Sequence, residues 1–113
     1  MLKISGNNIF ILKGETGFLA FPFMLKAKPF DLMGFTVRFI IKAKKDEQDS
    51  WAIFDQNFTP QEAGGNTILI HLTANLTNRD PQSFFYALRL MKGTEVQTVL
   101  EGNFTIEQGV YND

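Results

Sequence analysis

The chain has 113 residues and a formal net charge of -1, with 44% hydrophobic and 20% charged residues. That length suits one domain, residues 1–113, able to bury roughly 65% of the surface its unfolded form exposes. The interspersed charges exclude a general nucleic-acid or anionic-membrane surface, which needs a concentrated basic patch. The absence of cysteine excludes disulfides, thiolate metal sites and thiol catalysis together.

No apolar run approaches the roughly 20 residues of a membrane span, and MLKISGNNIFILKG lacks the continuous apolar core of a signal peptide. The expectation is synthesis in the cytoplasm without a signal peptide, and no membrane partner. Twelve phenylalanines against one tryptophan and two tyrosines suit packed strands.

In chain order, residues 8–14 read as a short edge strand or arm. Residues 16–28 form a second strand with Leu19, Phe21, Phe23 and Leu25 inward, and Pro22 on the other parity implies an edge or a bulge. A turn at 29–34 follows, in which Asp31 accepts a local backbone hydrogen bond. It leads to the clearest isolated strand, with Phe35, Val37, Phe39 and Ile41 on one face and Thr36, Arg38, Ile40 and Lys42 on the other. KAKK at 42–45 and the DEQD that follows read as a solvated strand end and loop. Residues 51–55 form a short strand, and 68–73 another with Ile68, Ile70 and Leu72 inward and His71 outward. AGGN at 63–66 is a turn, and 74–83 holds at most one helical turn.

The last long stretch, 84–106, is a β-hairpin. Phe84, Tyr86, Leu88 and Leu90 share one face, and Val96, Thr98, Leu100, Phe104 and Ile106 share a parity on the return arm. Gly102 interrupts that arm where a bulge or a close backbone approach is expected. A three-residue loop of Met91, Lys92 and Gly93 keeps the core parities together, pairing Leu88 with Val96 and Phe84 with Leu100. Arg89 then faces Glu95, and Phe85 faces Val99. A two-residue Lys92-Gly93 loop would oppose Leu90 to Glu95, so it is rejected. About seven antiparallel strands without helical periodicity imply an all-β sandwich.

No constellation carries chemistry. His71 stands alone, and no nucleophile elbow, phosphate loop or zinc spacing is present. Asp46, Glu47 and Asp49 lack the glycine and distal glutamate of a calcium loop. Asn57, Asn75 and Asn103 carry the glycosylation pattern, which in an Asn- and Thr-rich chain reads as turn and sheet composition.

The succession GETGFLAF, PFDLMGFTVRFIIK, ILIHLTANLT, FFYALRL and VLEGNFTIEQGV resembles the N-terminal domain of phage baseplate upper proteins and related phage tail-associated modules. Asp31 to Thr36 match a "DLTG-aromatic-T" turn, and Leu72-Thr73 with Leu76-Thr77 match an "LT…LT" step. Tyr86, Leu88 and Leu90 match "YxLxL", and Gly102, Phe104 and Ile106 match a closing "G-x-F-x-V". The resemblance covers about residues 14–110. It implies an immunoglobulin-like β-sandwich docked on the distal end of a phage tail, with no catalytic residue and no cofactor to carry over. The Cys, Trp, Cys framework of antibody domains is absent, only Trp51 being present. In family members a fibre or receptor-binding part usually follows; here the chain ends at Asp113, and the expectation is a free-standing adaptor or a module whose partner is another chain.

Three readings of function follow. The first is a structural module of a phage or prophage virion, forming homo-oligomers or binding other tail proteins. Its candidate contacts are the outward pair Phe85 and Val99, or the edge carrying Ile9 and Ile11. The second is a carbohydrate-binding sandwich using Trp51 and Phe58. No enzyme is expected; the third reading, set behind both, is a site built from Asp46, Asp49, Asp55 and His71.

Overall fold

The computed structural model describes residues 2–59 and 65–109. The chain is all-β, with β1 (Lys3–Ser5), β2 (Asn8–Leu12), β3 (Gly17–Pro22), β4 (Met24–Leu25), β5 (Lys28–Pro29) and β6 (Thr36–Lys42) in its first half. The second half contributes β7 (Phe54–Phe58), β8 (Thr67–Leu72), β9 (Gln82–Lys92) and β10 (Glu95–Glu107). A 3-10 turn, Asp49–Trp51, precedes β7, and one helical turn, α1 (Ala74–Thr77), follows β8. The seven expected strands are the seven of five or more residues. β7 begins at Phe54 rather than Trp51, because 49–51 winds into the 3-10 turn. The expected helical turn is α1, which Thr73 caps by accepting Leu76 N.

β1-β2-β10-β9-β6-β7 form one sheet, and β3-β8 form a smaller one facing it. Their inward residues meet in one core: Ile9, Phe39, Tyr86 and Phe104 of the large sheet pack with Leu19, Ile70 and Leu72 of the small one. Leu32 from the turn and Leu76 from α1 close its ends. Asp31 Oδ1 accepts Met33 N at 3.0 Å, the local bond expected of that turn. The AGGN turn falls partly outside the described residues.

The hairpin differs from expectation in register. Its loop is Gly93-Thr94, with Lys92 paired to Glu95 and Val96 to Met91. Gly93 has φ +61 and Thr94 a negative φ, the arrangement of a type II′ turn, whose twist suits a hairpin. Thr98 pairs with Arg89; the register then shifts across Val99, so that Leu100 meets Leu88 and Phe104 meets Phe84. Arg89 therefore does not face Glu95, and Phe85 faces Asn103 rather than Val99. The physical reason is a bulge at Val99: one extra residue switches the arm's parity, leaving Val96 and Thr98 exposed on the outer face. Gly93→Ala is expected to cost about 1 kcal/mol in a denaturant titration, because a side chain there meets the left-handed penalty. Open space surrounds its would-be Cβ, so packing adds nothing to that cost.

Three further expectations are corrected. Residues 8–12 are not an edge: β1 flanks β2 on one side and β10 on the other, the latter in parallel. A parallel pair needs a long crossover, and here almost the whole chain supplies it. β3 stops at Pro22 and Leu25 is exposed, with Phe23 N on Asn66 O at 2.7 Å as the last bond of its pairing with the β8 side. Ile40 and Lys42 point to the outer face yet are buried. The loop after β6 folds back there, with Glu47 O and Asp49 Oδ1 accepting from Lys42 Nζ at 2.8 and 3.0 Å.

Candidate functional site

The outer face of the large sheet carries an ionic network. Arg38 lies beside Arg89 in the β6–β9 register, and Lys42 lies further along β6. Asp49, brought over by the 3-10 turn, accepts from Lys42 Nζ at 3.0 Å and from Arg89 Nη1 at 3.2 Å, and sits 3.5 Å from Arg38 Nη1. Asp55 on β7 receives Arg38 in a two-pronged bond, Nε to Oδ1 at 2.8 Å and Nη2 to Oδ2 at 2.5 Å. Lys42, only 7% exposed, also donates to Glu47 O at 2.8 Å. The basic run is thus not wholly a solvated strand end, since its first lysine is buried and paired.

The hydrogen bond from Lys42 holds the Asp49 carboxyl below the ordinary aspartate range, with the hydrogen bond and charge of Arg89 adding to it. The bond and charge of Asp55 hold the Arg38 guanidinium above its usual value. Because the folded Asp49 value is depressed, its contribution to stability is present above the unfolded aspartate value of about 3.9. It is lost as pH falls through the folded one. Urea midpoints measured down a pH series should therefore show Asp49→Asn weaker than wild type at neutrality, the two converging in acid. Parallel curves would show that Asp49 carries no folded-state pairing.

The network can brace a sheet face, since both its carboxylates are engaged by cations. Asp49 and Asp55 meet around Arg38, but His71 lies on the outer face of the small sheet, stacked on Phe18 with ring centroids 4.5 Å apart. Among the described residues, no three His, Cys, Asp or Glu side chains converge as a metal site would require.

A hollow of about 460 Å³ opens where the hairpin outruns the small sheet. Its lining is Phe21, Phe23 and Phe30, the β4–β5 hairpin at Met24 and Leu25, and Leu88, Leu90, Gln97, Val99 and Leu100 of the long hairpin. No charged side chain lines it among the described residues. β4 and β5 are joined by Lys26 (φ 51) and Ala27 (φ 64), a two-residue turn with both residues left-handed. Turns of that kind favour Asn-Gly, and each other L-residue costs about 1–2 kcal/mol there. Ala27→Gly should therefore raise stability by about 1 kcal/mol after the glycine's unfolded-state entropy is deducted. A lowered denaturation midpoint would show that the turn has another geometry.

The residues singled out from sequence scatter. Ile9 and Ile11 are 1% and 0% exposed, inside the core, and offer no contact on the folded chain. Phe85 is half-buried beneath Lys45, whose Nζ lies 5.3 Å from the ring centroid. Val99, 40% exposed, lines the hollow instead of pairing with Phe85. Trp51 is 66% exposed, whereas Phe58 packs against the core. Sequence reasoning missed Met24 and Leu25, since it placed Leu25 inward on a longer strand. It also missed the network, whose one legible signal was Arg38 and Lys42 on a common strand face ahead of an acidic loop. No protein-family model, curated protein or solved structure matches this chain.

Proposed function

We propose that the chain is a non-catalytic assembly module of a phage or prophage tail or baseplate, carried in the virion and working by surface complementarity. Its partners are other tail proteins or further copies of itself. The observation that carries the docking role is the uncharged apolar hollow at the hairpin end, flanked by exposed Met24, Leu25 and Val99. A hollow of that lining takes apolar groups and offers no group for turnover. The tail assignment rests on the ordered sequence motifs. Within them Leu32 seals the core, Tyr86 and Leu88 are buried in β9 and Gly102 lies against Asn7, whereas Met33 is exposed.

Mass spectrometry of purified tail particles from the source phage or prophage tests the assignment. The chain should be present at a fixed ratio to the other tail proteins, and its absence overturns the reading. A second reading, a carbohydrate-binding module, is favoured by Trp51 alone, the most exposed large hydrophobic residue described. A glycan array on which wild type binds and Trp51→Ala does not would prefer it.

A further inference from the structure

Among the described residues, 95–102 of β10 have a strand on one side only. β9 pairs along them, whereas β2 reaches β10 only from Phe104 to Glu107. The parallel ladder stops there because Asn8 Oδ1 accepts Asn103 N at 3.3 Å and Asn7 lies against Gly102, where the chain turns back into β1. Beyond that point, every second N–H and C=O of β10 faces away from β9 without a strand partner among the described residues. Exposed edges are commonly blunted by lysine or proline. Between Glu95 and Glu101 this one carries neither, and only the bulge at Val99 interrupts it.

The hollow lies along this same stretch, with Gln97, Val99 and Leu100 lining it from β10 and Met24 and Leu25 from the β4–β5 hairpin. An open backbone edge takes a strand, and an uncharged apolar hollow beside it takes that strand's alternate side chains. We propose that β10 accepts an extended segment of a partner protein as an added strand along residues 95–101, with its inward apolar side chains seated in the hollow. Antiparallel self-pairing centred on Thr98 would place the Val99 bulge of both strands in one ladder and disrupt it twice, whereas a partner segment meets only one bulge. Glu101 already pairs with Lys45 at 3.4 Å, which leaves Glu95 at the open end of the edge to complement a segment with a lysine or arginine near one end. This builds on the docking role proposed above and assigns it to one edge.

The test selects random displayed peptides about nine residues long on the immobilised full chain. Amide hydrogen exchange of the chain with the strongest synthetic peptide follows. Selected peptides should be apolar at alternate positions with a basic residue near an end, and outward amides within 95–101 should gain roughly tenfold or more in protection. Val99→Lys should weaken that peptide by roughly tenfold or more. Val96→Lys, on the outer face, should leave it within about twofold. No enrichment, or binding without protection at 95–101, overturns the proposal. A dimer of the unliganded chain in light scattering, with those amides already protected, overturns it in favour of a second copy. A failed selection with the chain present in tail particles removes only the edge; peptide binding with the chain absent from them removes only the tail assignment.

Discussion

Phe39→Ala is expected to cost about 3–5 kcal/mol of folding stability, the range for emptying a large aromatic site in a packed core. Phe39 is fully buried at the centre of the sandwich. Its ring lies 5.9 Å from Phe21 across the layers, 5.8 Å from Phe54 on β7 and 5.6 Å from Tyr86 on β9. One side chain thus joins the two sheets and three neighbouring strands, and aromatic pairs add about 0.5–1.5 kcal/mol each beyond area alone. Urea titration should show a much lower midpoint at an unchanged slope. Since domains of this size have about 5–15 kcal/mol in total, the variant is expected to retain only a small margin, and Phe39→Leu, which keeps most of the volume, should lose markedly less. An alanine variant within about 1 kcal/mol of wild type would mean that the two layers do not close over this ring.

Alternation made strands of both sheets legible. Val37, Phe39 and Ile41 on β6, Ile68, Ile70 and Leu72 on β8, and Phe84, Tyr86 and Leu88 on β9 all face the core, as period-2 patterning requires. What was hidden depends on long-range contact or on turns made from unmarked residues. Ile40 and Lys42 are buried because a loop returns over them, which strand periodicity does not encode. The Lys26-Ala27 turn and the bulge at Val99 contain no glycine, proline or asparagine, so nothing local announces either one. The candidate site inherits both gaps. The turn ends β3 early and exposes Met24 and Leu25, while the bulge takes Val99 from its place opposite Phe85 and sets it on the hollow. The parallel contact of β2 with β10 joins the two ends of the chain, and no spacing between them could indicate it.

Gly102 is where sequence and structure agree on a close approach, and it carries the second large effect. An alanine Cβ there would lie 2.2 Å from Asn7 O and 3.0 Å from Asn7 C, backbone atoms that cannot rotate aside. The β1–β2 turn would have to move, and Asn7 O is also the acceptor of the buried Tyr86 hydroxyl at 2.7 Å. Moving it strains the start of the parallel ladder, where Ile9 pairs with Phe104. Overpacking of this kind costs about 1–3 kcal/mol, and loss of the tyrosine bond adds about 1 kcal/mol. Gly102→Ala should therefore destabilise by about 2–4 kcal/mol, while Tyr86→Phe alone costs about 1 kcal/mol. Because both changes act on Asn7, they should not add: in the alanine background Tyr86→Phe should cost little more. Denaturant titrations of the four variants close that cycle. Full additivity would mean that the turn stays seated on β10 despite the new methyl group, and an alanine variant as stable as wild type would mean that Asn7 does not lie against Gly102.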